Sequence, residues 1–291
     1  MGKIEIHNKV AVKVFNTAWV RTRKCILLAG ANCESIEAAA LFAVIAHPKM
    51  GIILFDTGHH TRFYQATRDF PYRLHSILTP CDLKEENNAA NQITKIGIKP
   101  DDVKTIIISH GHADHIPGII DFPNAKIILN KTEYDFMCWD KTKKHSVKLF
   151  KYAYLKSLYN DCNNEIMTVD FSKKGKKHKL FDTAVDLWDD GTMYLVQLPG
   201  HTKGQMGLYM DNVDSRQLFF VGDGAYLQDN IRYNIPTWKL FQKTFYASPD
   251  DFVKTLEMLY HLQKANPELL IIPSHCKETW NILKSINLAV E

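Results

Sequence analysis

Short apolar runs recur along the chain, each closed by a turn residue. They are VAVKVF (10–15), LFAVIA (41–46), GIILFD (51–56), VKTIIIS (103–109), AKIILN (125–130), TMYLVQL (192–198), QMGLYM (205–210), QLFFVG (217–222) and LLIIP (269–273). Their length and their Val and Ile content suit strands buried in a sheet. Helical patterns fill the gaps. Asn88 to Ile96 ends at Gly97, with Pro100 beyond it, which is a helix stop. Lys131 to Trp139 and Ser146 to Tyr159 are two further helices by pattern. Ser248-Pro249-Asp250-Asp251 supplies an N-cap, a first-turn proline and first-turn acids for a helix reaching about Ala265. A last helix runs from Glu278 to Leu288. Strands, helix, strands, helix is the order of two sheets with helices on their outer faces, a four-layer α/β arrangement.

The chain has 291 residues, enough for one large core. No repeat or Pro-rich linker divides it, so residues 1–291 are expected to form a single domain. Hydrophobic residues at 45% and charged residues at 23% exclude a disordered or fibrous chain. The N-terminal stretch has no uninterrupted apolar segment of the secretory kind. The most apolar stretch, 25–46, is broken by Asn32, Glu34 and Glu37, so no membrane span is expected.

Thirteen histidines stand against six scattered cysteines with no CxxC pair. That pattern argues against a disulfide framework or a thiolate zinc site, and for a reducing, cytoplasmic setting. It turns attention to imidazole chemistry. The net charge of +4 is mild, and its excess lies in 141–148 and 173–179. Both tracts read as solvated surface, and nucleic acid is not the expected partner.

The strand 103–109 runs into His110-Gly-His112-Ala-Asp114-His115. Three imidazoles and a carboxylate within six residues, at the end of a strand, suit a divalent metal at neutral pH. Further candidates each follow a strand: His201 in Leu-Pro-Gly-His-Thr, Asp223 in Val-Gly-Asp-Gly, and His275 in Pro-Ser-His. Glycine beside a ligand lets the chain turn sharply there. Asp56, in Phe-Asp-Thr-Gly, is expected to brace the HxHxDH loop as a hydrogen-bond acceptor. His59 and His60 read as loop histidines and not as ligands.

These motifs occur in an order that resembles the metallo-β-lactamase superfamily, from about Leu41 to His275. The resemblance implies an αβ/βα sandwich with a two-metal site at one edge of the sheets. Carried over position by position, His110, His112 and His201 would hold the first metal, and Asp114, His115 and His275 the second. Asp223 and a hydroxide would bridge them. Zinc is the default ion, and iron, cobalt and manganese accept the same donors.

Within the superfamily, true β-lactamases use a cysteine near the position that Asp223 occupies here. The segment Asp223-Gly-Ala-Tyr226 resembles the Asp-x-x-Tyr of the N-acyl-homoserine lactonases. That likeness implies opening of a lactone ring, with Tyr226 stabilising the oxyanion and Asp114 relaying a proton. The alternatives are an organophosphate hydrolase, a thioesterase or a phosphodiesterase on the same site. Phe63, Tyr64, Phe70, Tyr72, Leu74, Leu227, Trp238 and Phe241 are available to line an acyl channel. Where the lactonases continue with small residues, this chain has Ile116-Pro117-Gly118, a change expected at the pocket wall. The sequence carries no signal for assembly, and a homodimer is a guess.

Overall fold

The computed structural model describes residues 9–137 and 152–290. Six strands form the first sheet, in chain order: β1 (Ala11–Arg23), β2 (Ser35–His47), β3 (Gly51–Phe55), β4 (Val103–Ile107), β5 (Lys126–Asn130) and β6 (Ile166–Val169). The first three are antiparallel, and β3 to β6 are parallel. The second sheet has five strands: β7 (Ala184–Asp186), β8 (Tyr194–Gln197), β9 (Met206–Val213), β10 (Arg216–Gly222) and β11 (Leu270–Pro273). Their order is β11-β10-β9-β8-β7, with only β10–β11 parallel.

The two sheets face one another across a core in which Phe55 of β3 and Phe220 of β10 approach to 5.7 Å between ring centres. Helices cover the outer faces. The helix Pro249–Ala265 lays Leu256, Leu259 and Leu262 on Val196, Tyr209, Phe219 and Ile271. The helix Ala89–Lys95 buries Ile93 against the first sheet. The expected αβ/βα sandwich is thus the observed one. Among the described residues, no helix is long and apolar enough to cross a membrane.

Every apolar run of the sequence lies in a strand, but β1 and β2 extend well past theirs. Their pairing breaks register between Asn16 and Trp19. The Asn16 side chain accepts from Ala18 N–H at 3.3 Å and from Ala40 N–H at 2.9 Å, which satisfies the backbone at the irregularity and lets the hairpin continue. The distal end of that hairpin is closed by a Cys25–Cys33 disulfide. This overturns the expectation of no disulfide: eight residues of separation make no recognisable motif, and the turn brings the two cysteines together. The cysteine argument for a reducing compartment loses its ground with it.

The helix expected over 146–159 falls partly outside the described residues. From Tyr152 onward it is a turn and a short 3-10 segment at Lys156–Leu158. The helix expected over 131–139 is present as Lys131–Met137, and residues 138–139 lie outside the described residues. The basic tract 141–148 also lies outside. In 173–179, Lys173 pairs with Asp170 and Lys179 with Asp211.

Candidate metal centre

The ends of β4, β8, β10 and β11 meet at one edge of the sandwich. Each carries its ligand candidates into the loop that follows. Positive φ at Gly200 (132°) and Gly222 (53°) makes the turns next to His201 and Asp223. Seven side chains converge in three overlapping groups that could hold a metal ion. These are His110, His112 and His201; His110, His115 and Asp223; and Asp114, His115 and His275. Within each group the donor atoms lie within 4.8 Å of one another.

Four of the five rings are fixed by their outer nitrogen. His115 Nδ1 donates to Asp56 Oδ2 at 2.7 Å. His112 Nε2 donates to the Tyr152 carbonyl at 2.8 Å. His275 Nδ1 donates to the Ala39 carbonyl, and His110 Nδ1 lies 3.0 Å from Ser109 Oγ. The remaining nitrogens face inward. His112 Nδ1 and His201 Nε2 are 2.9 Å apart. Asp223 sets Oδ2 3.2 Å from His201 Nε2 and Oδ1 3.1 Å from His275 Nε2. Anchoring one imidazole nitrogen while the other points at a shared centre is how metal-ligating histidines are held.

The donor set fits a divalent cation on a further ground. His110 Nε2 is buried without a hydrogen-bond partner, and His115 Nε2 and Asp223 Oδ1, buried and 3.3 Å apart, do not meet in hydrogen-bond geometry. Buried polar atoms of that kind are costly unless something else engages them. Burial also pushes the His112 pKa down to about 3 and that of His201 to about 4. Both rings are therefore neutral and able to offer a lone pair. Burial disfavours charge on His115 too, but Asp56, Asp223 and Asp114 outweigh it and raise its pKa. Burial opposes the Asp223 charge, yet His275, His115 and His201 hold its carboxyl well below the usual range. Of the seven, only Asp114 is partly open, with 28% of its side chain exposed.

A sequence model of the metallo-beta-lactamase superfamily matches residues 42–275. The chain belongs to that superfamily. Its enzymatic class is that of a superfamily hydrolase. Among curated proteins it is 26% identical over 256 residues to the N-acyl homoserine lactonase AttM of Rhizobium radiobacter, covering 86% of each chain. It is also 26% identical over 269 residues to the probable metallo-hydrolase Mb2322c of Mycobacterium bovis, covering 87% of this chain and 81% of that one. Among solved structures, an N-acyl homoserine lactone hydrolase with the product N-hexanoyl-L-homoserine at its catalytic metal centre superposes with a TM-score of 0.70. That pair is 18% identical and covers 94% of this chain and 96% of the other. This last likeness is one of fold.

Tyr226 lies beside the donor cluster. Its ring stacks on His275 at 5.5 Å and meets His201 edge-on at 5.8 Å, and its hydroxyl is 3.5 Å from His201 Nδ1. Burial, then the Asp223 charge, raises its pKa well above the ordinary value, so the hydroxyl keeps its proton. Leu27, Tyr246 and Phe252 pack around it, with Leu227 and Phe241 at the margin. The other lining candidates separate. Phe63 is buried under Ala18 and Ala40, while Phe70, Tyr64, Leu74 and Trp238 are exposed.

Ile116-Pro117-Gly118 runs from the HxHxDH loop into a short 3-10 turn. The three residues are buried, and Gly118 N–H donates to Thr57 Oγ1 at 3.0 Å beneath the HxHxDH loop. His59 packs edge-on against Phe63, and His60 lies 3.1 Å from Asp121; both stand outside the three groups. The sequence reading missed Ser109, Glu133, Tyr154 and Tyr246. Ser109 was visible as the residue between strand and motif. The others sit far from any ligand in sequence and carried no signal.

Proposed function

We propose that this chain is a dinuclear-metal hydrolase that opens lactone rings, with N-acyl-homoserine lactones as its substrates. The observation that carries this reading is the position of Tyr226, held between His201 of the three-histidine group and His275 of the Asp114–His115–His275 group. The similarity to AttM along most of both chains supports the same substrate class.

His110, His112 and His201 would hold one cation, and Asp114, His115 and His275 the other, with Asp223 between them. When bound, two divalent cations, zinc by default, supply a water nucleophile at neutral pH and polarise the substrate carbonyl. The protein residues do the rest. Tyr226 donates its hydroxyl proton as a hydrogen bond to the carbonyl oxygen as negative charge develops there. Such a donor matters most where water is excluded, and Tyr226 is 8% exposed. Asp114 is the accessible carboxylate of the centre. It takes the proton of the attacking water and returns it to the ring oxygen as the ester C–O bond breaks. The product is an N-acyl-homoserine. Leu227, Phe241 and Leu27 offer apolar surface to the acyl chain beside Tyr226.

The test is a panel of homoserine lactones of increasing acyl length, with a simple thioester and a phosphotriester, assayed on zinc-loaded protein. Lactone turnover should exceed the other two by orders of magnitude. A preference for the thioester or the phosphotriester would overturn the lactonase reading.

A further inference from the structure

Glu133 is fully buried at the start of the helix Lys131–Met137, yet no motif marks it. Its carboxylate takes four hydrogen bonds. Oε1 accepts from Gly111 N–H at 2.9 Å and from the Tyr154 hydroxyl at 2.7 Å. Oε2 accepts from the Thr202 hydroxyl at 2.8 Å and from Gly204 N–H at 3.0 Å. Gly111 lies between His110 and His112, and Thr202 follows His201. One carboxylate thus joins the two loops that supply the three-histidine group.

The approach at Gly204 is close enough to exclude a side chain, and at Gly111 a side chain would have to displace Met137. A Cβ at Gly204 would sit 2.3 Å from Glu133 N, and one at Gly111 would sit 2.6 Å from Met137 Sδ. Both loops press on the same short helix. Tyr154 adds a second hold on His112, since its ring meets that imidazole at 5.0 Å while its hydroxyl reaches Glu133.

We propose that Glu133 is a positioning residue that clamps the His110–His112 loop to the His201 loop and so sets the affinity of the three-histidine half of the centre. This rests on the dinuclear-metal reading. The chemistry requires a carboxylate. Each oxygen faces one backbone N–H, whose proton cannot turn away. A glutamine, whichever way its amide lies, sets an NH₂ against either Gly111 N–H or Gly204 N–H. The hydroxyls of Tyr154 and Thr202 can rotate; the glycine amides cannot.

Full-length wild type and Glu133→Gln would be stripped of metal and titrated with Zn²⁺ and with Co²⁺, read by its visible absorption. His112→Ala and His275→Ala identify which binding step belongs to which half. In Glu133→Gln the step that His112→Ala removes should weaken about 10- to 100-fold, the range for loss of a ligand's supporting partner. The step that His275→Ala removes should change by less than about threefold. In metal-free protein, hydrogen exchange should accelerate at least about tenfold at whichever of the Gly111 and Gly204 amides faces the new NH₂, because that amide loses its buried acceptor. Equal weakening of both steps, or unchanged exchange at both glycines, would overturn the clamp. A wild type that binds no metal would overturn the metal reading, and the exchange measurement would still decide the clamp. If Glu133→Gln does not fold, Thr202→Val removes one of the four hydrogen bonds at similar volume. It should weaken the same step alone, by a smaller factor.

Discussion

The carboxylate of Asp56 and the ring of His115 meet at 2.7 Å with neither side chain exposed. Asp56 also accepts from Ser109 N–H and from the Ser109 hydroxyl, both at 2.7 Å. Its backbone takes a left-handed φ of 59°, which is uncommon for a residue other than glycine. A single acid therefore fixes the end of β4 and the orientation of His115. With Nδ1 committed to Asp56, His115 Nε2 faces Asp114 at 3.8 Å and Asp223 at 3.3 Å.

Asp56→Asn replaces one acceptor oxygen by a donor against Ser109 or His115. Metal affinity at the Asp114–His115–His275 group should fall about 10- to 100-fold. Stability should drop by about 1–3 kcal/mol, as expected when a buried donor loses its acceptor. Stepwise zinc titration and urea unfolding of the metal-free protein measure the two effects separately. Unchanged zinc affinity would remove Asp56 from the centre's support.

Tyr226→Phe deletes one hydroxyl and keeps the ring that stacks on His275. Lactone kcat should fall about 10²-fold, the scale for loss of one well-placed oxyanion donor. Zinc content should stay the same, because the hydroxyl is no ligand in this reading. Turnover and metal analysis on one preparation check both halves of the expectation. Undiminished turnover would strike Tyr226 from the mechanism.

The ligand candidates were legible because each ends a strand and sits beside a turn residue, so a local pattern places the side chain at the sheet edge. His201 after β8 and Asp223 after β10 needed no knowledge of what they face. Glu133 and Tyr154 were not legible, since their role arises where glycine-bearing loops approach a helix that is remote in sequence. The strands β6 and β7 were missed for another reason. Each is three or four residues long and lies at a sheet edge, where little apolar sequence is needed. The long hairpin of β1 and β2 hid behind Asn16, a residue disfavoured in strands that here satisfies a register break.

Asp211 sets the sign of an acid effect away from the centre. The Lys179 ammonium, 2.8 Å from both carboxylate oxygens, lowers its pKa from 3.8 to about 2, aided by Tyr209 and Gln217. A pKa depressed in the folded state contributes stability that is present above the unfolded value and lost as pH falls through the folded one. The difference in urea midpoint between wild type and Asp211→Asn should therefore be largest above pH 4 and shrink between about pH 4 and pH 2. A difference that is constant over that window would show that the group does not stabilise through its charge. The pair is well exposed, so the effect should be modest and weaken with salt.

The loop closed by Cys25 and Cys33 lies beside Tyr226. Leu27 packs in the same apolar cluster as Tyr226 and Tyr246. The loop is tied to the segment after Asp223 by Ala29 N–H to the Pro236 carbonyl at 2.9 Å and by Trp238 N–H to the Ile26 carbonyl at 2.9 Å. Asn230, fully buried, donates to the Leu27 carbonyl at 2.7 Å. Opening the disulfide frees the hairpin end but leaves these contacts, so the loop should loosen without leaving the site. The double variant Cys25→Ser, Cys33→Ser should lose about 2–3 kcal/mol, the scale for a short closed loop. In the proposed function Leu27 borders the acyl chain and not the reacting carbonyl, so KM for long-chain lactones should rise more than kcat falls. Short-chain lactones should be affected less. Alkylation without reductant followed by peptide mapping confirms the wild-type pairing, and the chain-length series reads the rest. An equal loss of kcat across all chain lengths would place the loop's role at the reacting centre instead.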